Sequence, residues 1–232
     1  MPMGVRLLAV LTATVFTLGG CGLMWEPPPK TPFSDLSVTE MVSTAERQVK
    51  DAEFVTVKGK GKDGGQTITF DVRFAPKSAS GKVVLDGQTL MLLSVGGKTY
   101  AKADAAFYRS SKLFSGSADE QKILRLMAGQ WLDVRAWELG ELGDFVSRFG
   151  FFADLSTPDG KITRRPAQKV NGVVCIPLRD KGGTLYIDKR DGKPILLTTD
   201  GRYTFSYAPV AESKPPSPAD VLTRSELKAA FR

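Results

Sequence analysis

The sequence contains no histidine and only two cysteines, Cys21 and Cys175, among 232 residues. The first absence removes the side chain that most often moves protons near neutral pH and most often ligates transition metals. The second leaves any zinc site to carboxylates alone, so neither a metal centre nor a cofactor is expected. A basic stripe, a zinc-finger spacing and an exposed aromatic motif are also missing, which excludes a nucleic-acid reader. The formal net charge is +7, and Lys and Arg are scattered among acidic residues in stretches such as VKGKGK and KITRRPAQK. That describes a mildly cationic surface, suited to anionic headgroups or wall polymers or simply solvated.

What is present begins with an export signal. Arg6 supplies a minimal positive end, and LLAVLTATVFTL (7–18) is an apolar run of 12 residues. A membrane-spanning helix needs roughly 20. Leu18-Gly19-Gly20-Cys21 then resembles a bacterial lipobox, with Gly19 in place of the favoured Ala or Ser. The resemblance implies that Cys21 carries diacylglycerol on its sulfur and becomes the mature N-terminus. Two or more acyl chains hold a protein stably on a membrane where one does not. Residues 1–20 are therefore read as a lipoprotein signal peptide and 21–35 as a Pro-rich tether, followed by one domain over 36–232. This places the domain on the extracytoplasmic face of the cell membrane, lipid-anchored. With Cys21 consumed, Cys175 is expected to be a buried, inert thiol within the apolar NGVVCIPL.

Along the domain, SVTEMVSTAERQVKDA (37–52) has a helical stripe of Met41, Val42, Ala45 and Val49, with Ser37 and Glu40 in a capping-box pattern. The period then changes to two, and about five antiparallel strands follow, punctuated by Asp86-Gly87 and Gly96-Gly97. Helices are expected over 117–130, behind a Ser117 cap, and over the aromatic 140–155. Strands return through KITRRPAQKV, GVVCIPLRD, GTLYIDK, KPILLTTD and RYTFSYAP, and a last helix starts at Pro218 behind Ser217. An antiparallel sheet with helices packed on one face, an α+β fold, is the economical architecture.

Two motifs imitate chemistry. GKGKDG (59–64) matches the dinucleotide fingerprint but precedes a strand, not the helix that a pyrophosphate requires. SELK (225–228) matches one motif of penicillin-binding enzymes and lacks its S-D-N partner. Carboxylate pairs such as Asp119/Glu120 and Glu138/Glu141 flank helices in solvated settings. No catalytic residues are assigned, and the protein is read as a non-enzyme.

The distinctive feature is apolar excess on the strands. Phe70, Val72 and Phe74 form one wall, and Leu90 and Leu92 another, with Met91 and Leu93 opposite. Leu185, Ile187, Leu197, Tyr203 and Phe205 come from the second set of strands. These ten wall residues build either an ordinary core or the lining of an apolar cavity, since both use the same side chains.

The stretches GGQTITFDVRF, ASGKVVLDG, VGGKTY with DAAFYR, GGTLYI with GKP, and PPSPADVL, together with the lipobox, are similar to actinobacterial lipoproteins of the LppX/LprG kind (LppX_LprAFG). These belong to the wider group of LolA/LolB-like carriers, and the likeness runs in order over about 35–222. It implies a curved antiparallel half-barrel with helices over its concave face. It further implies a hydrophobic cavity that binds lipids or lipoglycans, with membrane and an export protein as partners. The alternative is an envelope lipoprotein that acts as an interaction or sensing module without cargo. The aromatic segment DFVSRFGFFADL is either a packed helix or a lid that touches membrane.

Overall fold

The computed structural model describes residues 32–63, 65–110, 118–137, 146–147 and 159–229. Cys21, the signal and most of the tether lie outside them, as do Ser117 and most of the aromatic helix expected over 140–155. Residues Thr31–Arg232 form one compact unit.

A 3₁₀ turn at Phe33–Asp35 leads into α1 (Val38–Asp51). The expected capping box is formed: Glu40 N–H donates to Ser37 Oγ at 3.4 Å, and Ser37 N–H donates to the Glu40 carboxylate at 2.8 Å. These bonds satisfy two otherwise orphaned donors of the first turn, and the Ser37 hydroxyl, donating at 2.7 Å, together with the Ser37 N–H, holds the Glu40 carboxyl below its usual range. Met41, Ala45 and Val49 are the buried stripe.

Five strands follow as a meander: β1 (Val55–Asp63), β2 (Gln66–Phe74), β3 (Ser78–Leu85), β4 (Gln88–Val95) and β5 (Lys98–Ala103). Helices α2 (Ala105–Ser110) and α3 (Ala118–Met127) precede the two-residue strand β6 (Leu132–Asp133). The second meander comprises β7 (Thr163–Arg164), β8 (Gln168–Val170), β9 (Val173–Arg179), β10 (Thr184–Asp188), β11 (Pro194–Thr198) and β12 (Arg202–Ser206). Two hairpins turn on Asp86-Gly87 and Asn171-Gly172, each with both residues at positive φ, the geometry that matches strand twist.

The meanders join through β1 and β12 into a single 12-stranded antiparallel sheet in the order β6-β5-β4-β3-β2-β1-β12-β11-β10-β9-β7, with β8 also on β9. It stays open, and with helices on its concave face it is a curved half-barrel of α+β class. The core lies on that face.

Two local expectations are corrected. The strand expected over 161–170 is split into β7 and β8, because Pro166 lies in the gap and cannot donate to a ladder. The terminal helix expected from Pro218 is only a 3₁₀ turn, Pro218–Asp220, and Ser217 makes no side-chain cap. Val221 pairs with Trp131, which draws the chain out before α4 (Arg224–Ala229). Thr223 caps that helix, accepting from Glu226 N–H at 3.2 Å while its own N–H donates to the Glu226 carboxylate at 2.7 Å. Leu132–Asp133, between the two expected middle helices, forms β6, and α2 covers most of the DAAFYR stretch.

Candidate functional site

Strand register decides which side chains share a face, and it brings the ten wall residues together. One row across the sheet runs Leu185, Leu197, Tyr203, Gly59, Phe70, Val83 and Leu90. The next runs Phe205, Val57, Val72, Gly81, Leu92 and Ala101. Phe74 is paired with Val55 and Ala79, and Ile187 with Ile176. All ten belong to one buried cluster on the concave face.

The wall also includes residues beyond those ten. Val57, Val83, Ala101 and Leu178 are buried in the same cluster. Their signal was present in VTVKGK and GKVVLDG, but the interleaved lysines and glycines diluted it. Val146 is the least expected member. It lies 3.7 Å from where a Cβ on Gly81 would stand, so residue 146 reaches the concave face over β3.

Glycines on the wall make room for rings. A Cβ on Gly59 would stand 2.9 Å from Tyr203 Cγ and 2.6 Å from the Arg202 carbonyl oxygen. A Cβ on Gly61 would meet the Tyr203 hydroxyl. The Tyr203 ring therefore lies along β1, and Phe70 tilts against it with centroids 5.9 Å apart. This accounts physically for GKGKDG: two of its glycines seat an aromatic ring, and Gly65 turns the hairpin at φ +87°.

Helices flank this wall. Helix α1 packs on β11, whereas α2 packs on β4 and on α3. Those strands are five positions apart in the sheet, a distance of about 24 Å at the usual strand spacing. The sheet between them is formed by β12, β1, β2 and β3, whose buried inward side chains are only apolar, Tyr or Gly, while Gln66 ends the β2 face exposed. At one rim, a groove of about 350 Å³ opens between the end of α1 (Lys50, Ala52, Glu53) and the turns after β2 and β4, with Phe74, Ala79 and Val146 along it.

Polar groups lie away from this wall or are tied down. Tyr108 is fully buried beside Phe107, and burial pushes its phenol up to about 12. Buried Asp188 accepts from Arg190 at 2.8 Å, and that bond holds its carboxyl below the usual range. Cys175 is a free, buried thiol opposite Asp188; burial, and then the Asp188 charge, push it up, away from the reactive thiolate. Among the described residues, no cluster of three or more Cys, Asp or Glu side chains is placed to hold a metal ion.

Comparison with known proteins adds little. No family model matches the chain, and no curated protein does. One solved structure, described as an uncharacterized conserved protein from Thermus thermophilus, is similar over 82% of this chain and 100% of that one, at 12% identity and a TM-score of 0.40.

Proposed function

We propose that this is a non-enzymatic, membrane-anchored envelope lipoprotein that binds lipids or lipoglycans against the concave face of its sheet and presents them for transfer. The observation that supports the reading is the concave face: a continuous buried apolar wall that spans both meanders, with α1 and α2 on strands five positions apart. Acyl chains suit such a wall because burying their surface contributes roughly 25 cal/mol per Å² before ordering costs. The rim groove gives a headgroup a polar place to remain hydrated. The lipobox-like Leu-Gly-Gly-Cys and the Pro-rich tether supply the attachment, and the resemblance to LppX/LprG-type carriers points the same way.

Mass spectrometry of organic extracts from the purified unit 31–232, expressed in a related host, tests this. Lipid recovered at a fixed molar ratio is the expected result. A well-folded protein that yields no lipid and takes up none of the envelope lipids added back would turn the reading to a cargo-free interaction module.

A further inference from the structure

The outer face of the same sheet carries a second pattern, which the scattered lysines of the sequence conceal. Register aligns Lys58, Asp71, Lys82, Met91 and Lys102 in one row across β1 to β5. Lys60 pairs with Arg202 one row further along, and Arg73 lies on the other side. Among the described residues of β1–β5 and β12, Asp71 is the one outward carboxylate. Lys58 at 3.1 Å and Arg73 at 3.2 Å both engage it. Burial raises the Asp71 carboxyl, but the hydrogen bonds from Arg73 and Lys58 outweigh this and keep it ionised. Lys60, Lys82 and Arg202 are exposed.

Apolar surface lies within this field of cations. Met91 is 40% exposed, one of two large hydrophobic side chains described as exposed. It lines a groove of about 480 Å³ with Leu93, Trp131, Lys82 and Lys214. The groove lies beside a Pro-rich strap. Ser78 Oγ donates to Glu212 at 2.5 Å at one end, and Trp131 N–H donates to the Asp220 carbonyl at 2.8 Å at the other. Lys102 Nζ stands 5.9 Å from the Trp131 ring centroid.

We infer that this outer face is a docking surface for an anionic bilayer. The charge is complementary to acidic headgroups, and Lys or Arg side chains near such a surface attract it within a Debye length. Met91 and Trp131 decide between a bilayer and a soluble polyanion. A polyanion gains nothing from an exposed Met and an indole in the middle of its site, whereas the headgroup level of a membrane is where such side chains settle. The inference does not depend on a cargo at the concave face.

Vesicle flotation of the unit 31–232, which lacks any acyl anchor, tests the assignment. Binding is expected to vesicles of phosphatidylcholine with phosphatidylglycerol and not to phosphatidylcholine alone, and salt should release it. K60E/K82E should weaken binding at least tenfold, and Met91→Ser severalfold. K169E/K189E, an equal charge change elsewhere, should leave it nearly unchanged. Equal flotation with neutral vesicles, or equal loss in K169E/K189E, would overturn the proposal. Undiminished binding by Met91→Ser, with polyphosphate displacing the protein as readily as anionic vesicles do, would overturn it in favour of a soluble polymer.

Discussion

The two faces of one sheet differ by a single step along each strand. Leu92 points into the concave cluster at 1% exposure, while its neighbour Met91 is 40% exposed among lysines. Val72 is fully buried between Asp71 and Arg73, which form ion pairs on the other side. Strand pairing extends both patterns across six strands, so a one-residue slip anywhere would bury cations and expose the wall. A local alternation thus becomes two continuous surfaces of opposite character, one apolar and the other largely cationic.

The sharpest way to break this contrast is to place the same charge on each face. Leu92→Asp should cost about 3–5 kcal/mol in urea unfolding, because an unpaired carboxylate is buried. Met91→Asp should stay within about 0.5 kcal/mol. Similar losses at both positions would mean the faces are not distinct. Smaller but more local is Gly59→Ala, expected to cost about 1–3 kcal/mol because its Cβ meets the Tyr203 ring and the Arg202 carbonyl. Gly87→Ala, with open space but φ +87°, should cost about 1 kcal/mol through backbone strain alone.

The acid limb of stability distinguishes the wall from the strand ends. Asp188 has its carboxyl pKa lowered, chiefly by Arg190, so its contribution is present above the unfolded value and is lost as pH falls through the folded one. Asp188→Asn should cost about 1 kcal/mol at neutral pH and flatten that part of the acid decline in a pH series of thermal melts. The smallest effect belongs to Thr223→Ala. Helix α4 buries no residue, so its fraying should appear in hydrogen exchange with a global cost of about 0.5 kcal/mol or less.

Much of this was legible in the residues, for identifiable reasons. Strict alternation in QTITFDVRF marks the wall directly, whereas the continuous apolar run of QTLMLLSV is divided between faces only by register, which the Asp-Gly and Asn-Gly hairpins help to fix. The Ser37 capping box marked α1 in the same way. What could not be read depends on partners distant in the chain. Val221 is drawn into an extended bridge by Trp131, ninety positions earlier. Tyr203 determines why Gly59 and Gly61 are glycines, although nothing in GKGKDG mentions it. The cationic outer face was illegible for the same reason: its members come from six strands and become neighbours only through pairing.

The most direct test of the central claim uses two sensors, one for each face. Phe70→Trp and Met91→Trp variants of the unit 31–232 would be titrated with lysophosphatidylcholine brominated on its acyl chain, below its micelle concentration and at high ionic strength. The account predicts that the fluorescence contributed by residue 70 is quenched at saturation while that from residue 91 is not. Equal quenching of both, or none at residue 70, would contradict an acyl-binding concave face.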